Sequence, residues 1–345
     1  MLYATTRSKH DIVTAYKATH NDCYGDGGLF VPFRMPQLNE SKIASLASAS
    51  QSQIIAEILN DFLRCNLTPW DVEYTLGRKP VQTVAIGRRL SVAQMWNFAG
   101  GEISWAVRRL FDCIRGKDQY VAPSNWMEIA VRIALLFSVY GVMLSGGEIR
   151  SGERLDVAVA TGDFAMPMAV WYARRMGLPL GNIICGCNAN GGFWDLLNRG
   201  EFSTGEVLTR TITPDADIVV PRNLERLICA TLGVDETLRY LSCCSKGRNY
   251  VLSEDALNKL SEGMFAAVIS DSRVSSIIPG VYQTSGYVLS PYGALGYGSL
   301  LDYRSVTGYT STALLIEERS PLRDAQMVSN LIQINENDLR KLINK

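Results

Sequence analysis

Two short polar turns hold the side chains that are best placed for chemistry. The first, residues 161–164, reads Thr-Gly-Asp-Phe, and the second, residues 188–192, is rich in asparagine and glycine. Turns of this kind between a strand and a helix offer backbone N–H groups that can hold an anion. Asp163 adds a carboxylate, which favours an amine or a hydroxyl ligand over a phosphate. For the second turn, the more common role of such residues is a tight turn that caps the next helix.

The segments around these turns predict a β-α-β unit. Residues 155–160 and 183–187 are mostly apolar, as is typical of buried strands, and residues 167–176 predict a helix. Such a unit implies two parallel strands with a right-handed crossover. Because parallel strands end at the same edge of a sheet, both turns should face the carboxyl edge, where open α/β sheets bind ligands. We therefore expect a ligand pocket that includes Asp163, Asn188 and Asn190.

The rest of the chain extends this pattern. We expect an N-terminal subdomain at residues 1–78 and an α/β domain at residues 79–345, with a twisted, largely parallel sheet covered by helices on both faces. The spacing of apolar residues predicts helices at 41–66, 103–115, 125–144, 224–232, 253–266 and 273–284, a helix that starts at 193, short strands within 81–98, and a late strand at 314–316.

Composition excludes several classes of function. The 34 basic and 34 acidic residues balance, so no charge excess favours nucleic acid or an anionic membrane. The longest apolar run, residues 133–144, is too short to span a bilayer and predicts a buried helix. The first residues contain no apolar signal region. We expect a soluble, cytoplasmic protein.

Metal binding and hydrolase chemistry find little support. The eight cysteines contain no Cys-x-x-Cys pair and the chain has only two histidines, His10 and His20, so we expect no metal site and reduced thiols. There is no Gly-x-Ser-x-Gly elbow. His20 and Cys23 are three residues apart in a turn-rich segment, a poor arrangement for a catalytic pair.

Several separated segments, taken together, resemble the threonine synthase family of pyridoxal-phosphate (PLP) enzymes. They occur in the family's order, from Tyr3 to about Pro321. The matching segments are Tyr-Ala-Thr-Thr-Arg at 3–7, Asp-Gly-Gly-Leu-Phe-Val-Pro at 26–32, Ser-Asn-Trp-Met-Glu-Ile at 124–129, Thr-Gly-Asp-Phe at 161–164, Arg-Arg-Met-Gly-Leu-Pro at 174–179, Asp-Ile-Val-Val-Pro-Arg-Asn-Leu-Glu-Arg at 217–226 and Ser-Pro-Tyr-Gly-Ala at 290–294. The resemblance implies the large domain of a fold-type II PLP enzyme and an ancestral lyase activity in amino-acid metabolism.

The chain departs from the family where the cofactor would be attached. The family's PLP lysine opens a helix in a Phe-Lys-Asp step. The helix here that resembles it, residues 100–111, contains no lysine, and Ile103 or Ser104 takes the position. A Schiff base needs a primary amine, which neither residue provides. Lys79, Lys117 and Lys246 are interpreted as solvated surface lysines.

Two further departures affect the cofactor's surroundings. The family has a small α/β domain where this chain has only a short link, so we expect that domain to be absent between about 116 and 124. In the phosphate-binding turn of the family, Asp163 replaces an asparagine and Ala165 replaces a glycine. The segment Thr161, Gly162, Asp163, Phe164 is thus only a remnant of a phosphate turn. Tyr292 and Gly293 replace a His-Thr pair, which makes Tyr292 a further pocket candidate.

These departures favour a threonine synthase-like protein without PLP catalysis and without another cofactor, acting as a binding or scaffold protein or as a repurposed enzyme. One alternative is an active PLP-dependent lyase with a lysine in an unrecognised position. Another is a cofactor-free enzyme with a site near Asp163. Loss of the small domain should uncover apolar surface, so we also expect a homo-oligomer or a protein partner.

Overall fold

The computed structural model describes residues 1–97, 102–115 and 123–344. In that part of the chain the strands are β1 (Leu2–Thr5), β2 (Ser8–Thr14), β3 (Phe30–Pro32), β4 (Gln82–Gly87), β5 (Leu90–Gln94), β6 (Leu155–Ala160), β7 (Leu180–Cys187), β8 (Glu201–Phe202), β9 (Tyr250–Val251), β10 (Met264–Val268) and β11 (Ala313–Glu317). The helices are α1 (Ala15–His20), α2 (Glu40–Ser45), α3 (Gln51–Leu63), α4 (Pro69–Leu76), α5 (Ile103–Arg115), α6 (Asn125–Ser145), α7 (Ala165–Arg175), α8 (Gly192–Arg199), α9 (Leu224–Leu232), α10 (Val234–Ser245), α11 (Glu254–Ser261), α12 (Asp271–Ser285), α13 (Pro291–Thr307), α14 (Ala325–Ile332) and α15 (Glu336–Ile343). Short 3₁₀ helices lie at Pro214–Ala216 and Pro321–Asp324.

The central sheet has the strand order β10-β7-β6-β11-β5-β4. Its neighbouring strands are parallel, except that β4 pairs with β5 in the antiparallel sense at one edge. A separate antiparallel sheet, β2-β1-β3, forms near the N-terminus, and β8 and β9 form a small ribbon. The predicted α/β class, with a largely parallel sheet, is confirmed.

Both faces of the central sheet are buried. Side chains on one strand alternate between two cores: Val157 and Val159 join one, whereas Ala158 and Ala160 join the other. The first core includes residues of α3 and α5 to α11, and the second includes residues of α12 to α15. Burial on both faces explains why these strands are mostly apolar and do not alternate between apolar and polar residues.

The β-α-β unit that carries the first polar turn is confirmed. Strand β6 has the predicted bounds, helix α7 begins two residues before the predicted start, and β7 begins at Leu180. Strands β6 and β7 are parallel neighbours. The two polar turns therefore lie at the same edge of the sheet.

Two predicted helices were wrong in extent. The helix predicted at 253–266 ends at Ser261, and residues 264–268 form the edge strand β10. Gly263 lies between them with φ +66°, a left-handed conformation that stops the helix. The helix predicted at 41–66 is two helices, α2 and α3, because Ser50 forms a capping box with Gln53 and starts a new helix.

Helix α6 is a core helix. By length and composition alone it could cross a membrane, but 83% of its most apolar stretch is buried inside the protein. It packs between α3 and α7. This extends the buried helix predicted from residues 133–144 and indicates a soluble protein.

The N-terminal region shares the first core with the central sheet. The Trp126 indole donates to the Tyr3 hydroxyl at 2.8 Å, and that hydroxyl donates to the Phe62 carbonyl at 2.8 Å. The rings of Tyr3 and Trp126 meet edge to face, with centroids 5.3 Å apart. The subdomain boundary between residues 78 and 79 stays a prediction.

Several of the family-like segments meet at the start of α9. The Arg7 guanidinium donates to both carboxylate oxygens of Glu225 at 3.1 Å. The buried Arg226 guanidinium donates to the Phe30 carbonyl at 3.0 Å and to the side chains of Asn125 and Asn223. These bonds join the N-terminal sheet, the start of α6 and the start of α9.

Replacement of Gly186 by alanine is expected to destabilise the protein by about 3 kcal/mol. A methyl group on this β7 residue would collide with the Leu295 carbonyl group and lie 2.8 Å from the Gly296 nitrogen. Both are backbone atoms of α13, which cannot rotate away. Urea unfolding followed by circular dichroism would measure the loss.

Gly280→Ala is the matched control, because Gly280 lies inside α12 with open space around the added carbon. It should be neutral or stabilising by about 0.5–1 kcal/mol. Equal stability of Gly186→Ala and the wild-type protein would contradict the close packing of α13 on β7.

Candidate functional site

The turn at residues 161–164 has an unusual backbone. Gly162 and Phe164 both adopt positive φ angles, +45° and +68°. Phe164 is not a glycine, so its left-handed conformation costs of order 1 kcal/mol. Its fully buried ring packs against Phe193, with centroids 4.5 Å apart, and holds the conformation in place. The Thr161 amide donates to the Gly186 carbonyl at 2.9 Å, which ties the turn to β7.

Asp163 fills the anion position at the start of α7. Its Oδ1 accepts from the Ala165 amide at 3.0 Å, whereas Phe164, the residue at the N-cap, contributes no side-chain bond. The Asn223 side chain donates to Asp163 Oδ2 at 3.3 Å, and the Asn223 amide donates to the Asp163 carbonyl at 3.0 Å. The carboxylate therefore occupies a free N–H group of the helix, where an external anion would otherwise bind.

Tyr292 closes the turn from the opposite side. It is the second residue of α13, and its hydroxyl lies so close to Gly162 that a methyl group there would collide with it. Burial and the nearby carboxylates of Glu318 and Asp163 raise the pKa of Tyr292 well above its usual value. The phenol is therefore neutral at physiological pH.

A buried ion pair lies beside this turn. Arg132 Nε donates to Glu318 Oε1 at 2.9 Å, and Arg132 Nη1 lies 3.6 Å from the Glu128 carboxylate. Burial lowers the pKa of Arg132, but Glu318 and Glu128 outweigh this and leave it above the usual value. Burial raises the pKa of Glu128, against the effect of Arg132. The Arg132 guanidinium is thus already paired with the carboxylates of Glu318 and Glu128.

A second, more accessible ion cluster continues along the edge. Arg319 contacts Asp215 at 3.2 Å and Glu102 at 3.3 Å, and Arg323 contacts the same two carboxylates at 3.3 and 3.2 Å. Arg319 also lies 5.8 Å from the centre of the Tyr292 ring.

In the two clusters and the turn together, carboxylates outnumber guanidiniums. The carboxylates are Asp163, Glu102, Asp215, Glu128 and Glu318, and the guanidiniums are Arg132, Arg319 and Arg323. This excess of negative charge is unfavourable for a phosphate.

The asparagine-rich turn is closed by its own hydrogen bonds. The buried Asn188 amide group donates to Asp217 Oδ1 at 2.7 Å and to the hydroxyls of Thr211 and Thr213 at 3.0 and 3.1 Å. Asn190 donates to Asp217 Oδ1 at 3.2 Å, and its own Oδ1 accepts from the Thr209 amide at 2.9 Å. Both asparagines fasten the turn to the loop at 209–217, so their polar groups are already used within the chain.

Glu317, the last residue of β11, is a fully buried carboxyl at the same edge. It accepts from the Ser290 amide at 2.5 Å, from the Tyr287 hydroxyl, and from the Trp96 indole at 3.5 Å. Burial raises the pKa of Glu317 to about 7, although these donors lower it.

The position of the family's PLP lysine offers no amine. Ile103 is buried and Ser104 is exposed at the start of α5. Among the lysines that the structure describes, none is buried. Lys79 lies in a cleft of about 800 Å³ beside Trp96 and Trp105, with its Nζ 3.3 Å from Asn97 Oδ1. Lys117 and the link expected to replace the small domain lie outside the described residues, apart from Pro123 and Ser124.

Sequence reasoning identified Asp163, Asn188, Asn190 and Tyr292 as pocket candidates, and the structure brings them to one edge of the sheet. Their role as a ligand pocket stays a prediction, because Asp163, Asn188 and Asn190 bind partners within the protein and Tyr292 packs against Gly162. The reasoning missed the charged residues at the end of β11, Glu317, Glu318 and Arg319. Three charged residues directly after an apolar strand could have indicated them. The described residues contain no group of three potential metal ligands.

Comparison with known proteins supports the family-like segments. Residues 2–77 match the family model for the threonine synthase N terminus. Threonine synthase-like 1 from Homo sapiens is 29% identical over 174 residues, which cover 50% of this chain and 23% of the relative. Threonine synthase-like 2 from Rattus norvegicus is 27% identical over 172 residues, which cover 49% and 35%. The aligned part thus spans about a quarter to a third of the length of these curated relatives.

Solved structures show a similar fold along the whole chain. A PLP-bound threonine synthase from Brucella melitensis superposes with a TM-score of 0.85 at 16% identity, covering 100% of this chain and 95% of that chain. Threonine synthase from yeast superposes with a TM-score of 0.82 at 15% identity, covering 99% and 93%. At these identities the similarity establishes the fold.

Removal of the Asp163 carboxylate is expected to destabilise the protein. Asp163→Ala loses the cap of α7 and the bond from Asn223 and should cost about 1–2 kcal/mol. Asp163→Asn keeps an acceptor and should cost less. Urea unfolding curves of the two variants would measure the difference.

Asp255→Ala is the matched control. Asp255 lies in the first turn of α11, which Ser253 caps, so its loss should cost only a few tenths of a kcal/mol. An Asp163→Ala variant as stable as the wild-type protein would show that the carboxylate does not cap α7 in solution.

Proposed function

The chain is a threonine synthase-like protein, and on that basis we propose that it has lost PLP-dependent catalysis and acts by binding other molecules, as a scaffold or as a repurposed enzyme. The observation that carries this proposal is the turn at the start of α7. Asp163 occupies its helix N–H group and Tyr292 covers Gly162. PLP does not fit a turn that is filled in this way.

Electrostatics supports the same conclusion. Two like unit charges 4 Å apart repel by about 4 kcal/mol at an effective dielectric constant of about 20. A phosphate carries up to two negative charges, and at this turn it would meet Asp163, with Glu318 nearby. The Arg132 guanidinium, which interacts electrostatically with Asp163, already pairs with Glu318 and Glu128. These carboxylates would therefore repel the phosphate, and the described site contains no unpaired cation that offsets this repulsion.

The position expected for the lysine that attaches PLP also lacks an amine. A Schiff base requires a lysine that reaches the cofactor, and Ile103 and Ser104 provide none. PLP, when bound, supplies an electron sink for carbanion chemistry. Without a phosphate site and a lysine, the described residues of this site provide no means to hold that group.

One observation favours a second candidate function, an active PLP-dependent lyase. Lys79 lies in a cleft of about 800 Å³, and the same cleft contacts Trp96 and Asn97, just beyond the carboxyl end of β5. Lys79 is solvent-exposed, however, and an activated amine needs burial or a cationic neighbour to lose its proton at neutral pH.

A PLP titration of the purified protein separates the two functions. We expect no saturable visible absorbance band, no rise in melting temperature, and no lysine modified after borohydride treatment, because the phosphate turn is filled. Peptide mapping would locate any modified lysine.

The controls are Lys79→Ala and Lys246→Ala, the latter at an exposed lysine that ends α10. Saturable labelling that disappears only in Lys79→Ala would overturn the proposal in favour of the second candidate. Weak labelling that is equal in both variants reflects ordinary surface amines and agrees with the loss of PLP chemistry.

We further propose that a second copy of the chain covers an aromatic patch formed by Trp70, Tyr74 and Trp105. Their side chains are 66%, 78% and 40% exposed. Trp70 and Tyr74 stack with centroids 5.2 Å apart, and Tyr74 and Trp105 line the same cleft. Exposed aromatic rings that stack on each other are typical of the centre of a protein interface.

We also propose a cytoplasmic location for the protein. All eight cysteines are free thiols, which is typical of a reducing compartment.

Sedimentation velocity tests the oligomer. The wild-type protein should sediment as a dimer, and Tyr74→Ser should shift it toward the monomer, because a hot-spot tyrosine is worth about 2 kcal/mol or more. Tyr309→Ser, a change at another tyrosine that is 64% exposed, should have no effect. A wild-type protein that remains monomeric at high concentration would exclude a dimer through this patch.

A further inference from the structure

A basic cavity lies at the amino edge of the central sheet, opposite the site described above. Its volume is about 550 Å³, within the range of small-molecule sites. Four cationic side chains line it, Arg154, Arg174, Arg175 and Lys259, together with the single carboxylate of Glu262.

These cations are not neutralised by ion pairs. Within residues 1–97, 102–115 and 123–344, none of the four lies within 4.0 Å of a carboxylate. Surface arginines elsewhere in the chain are commonly paired, as Arg78 is with Glu73. Burial lowers the pKa of Arg174, the carboxylate of Glu262 raises it, and the positive charges of Arg154 and Arg175 lower it further, so that the net shift is downward. The guanidiniums are therefore close enough to repel each other.

The negative C-terminal ends of nearby helices offset only part of the positive charge of the cavity. Helices α7, α9 and α11 all end at the cavity, where Arg175, Thr231 and Lys259 line its wall. A helix C-terminus carries about half a negative charge, so three of them offset about one and a half positive charges. With Glu262 included, four positive charges still exceed the negative ones by about one and a half.

The cavity is built on a rigid frame. Arg174 donates to the carbonyls of Gly181 and Gly263 at 3.1 Å and of Glu262 at 3.3 Å, which fixes its guanidinium between the starts of β7 and β10. Gly263 allows this approach, because any side chain there would collide with Arg174. Trp171 forms a partly buried aromatic wall, and Arg175 lies 5.5 Å from its ring centre.

We propose that this cavity binds a small organic molecule through its phosphate group. A phosphate carries between one and two negative charges at neutral pH, which matches the excess at the cavity, whereas a single carboxylate leaves it partly uncompensated. Arginine guanidiniums form paired hydrogen bonds with phosphate oxygens. A phosphate alone would leave most of the volume empty, and the Trp171 wall accommodates an apolar or aromatic remainder of the ligand.

Isothermal titration calorimetry with AMP as the probe, at fixed ionic strength, tests the proposal. AMP should bind saturably, inorganic phosphate should compete with it, and adenosine should not bind, because the phosphate provides the recognition. Arg154→Gln and Lys259→Gln should each weaken AMP binding by about tenfold, as the loss of one charged hydrogen bond implies. Arg174 is left intact because it also holds the strands together.

Lys246→Gln is the matched control, since Lys246 is the C-cap of α10, as Lys259 lies in the last turn of α11, but Lys246 is away from the cavity. It should bind AMP like the wild-type protein. The absence of saturable AMP binding, or equal affinity in the Arg154→Gln, Lys259→Gln double variant, would overturn the proposal. Succinate that displaces AMP as effectively as phosphate would overturn the assignment to a phosphate group. Circular dichroism of each variant establishes that it is folded.

Discussion

A buried guanidinium, that of Arg226, sets the geometry on which the candidate site depends. Burial lowers its pKa to about 10, so the group is still charged at neutral pH and must find acceptors inside the protein. It finds them in the Phe30 carbonyl and in the side chains of Asn125 and Asn223. Asn223 in turn holds Asp163, so a constraint deep in the core reaches the turn at the start of α7.

The distribution of family-like residues follows from this constraint. Segments at 3–7, 26–32, 124–129 and 217–226 contribute the partners of Glu225 and Arg226, and a lost partner would leave a buried charge at a cost of about 3–5 kcal/mol. The departures lie instead at positions whose change leaves that network intact, such as Ile103 and Tyr292. Such a pattern is what we expect if stability was retained while contacts to a cofactor were not.

Local signals made part of this structure predictable. The mostly apolar run of β6 and the amphipathic spacing of α5 predicted the correct bounds of both elements. Strand β10 was missed because Met264 to Val268 is a short apolar run, and only the left-handed Gly263 separates it from α11. Helix α13 was missed because its glycines disfavour a helix, yet Gly296 permits close packing on β6. The contact of Tyr292 with Gly162 joins residues 130 positions apart, which no local pattern reveals.

The cap formed by Asp163 also affects whether the stability of this fold depends on the concentration of a bound cofactor. A protein that binds a phosphate-bearing cofactor gains stability in proportion to the logarithm of the cofactor's free concentration, about 4 kcal/mol at a thousandfold excess over the dissociation constant. Here the negative charge at the start of α7 belongs to the chain itself and is present at a constant effective concentration. If the cofactor is lost as we propose, the folded state is, at this turn, independent of the cellular supply of any such cofactor.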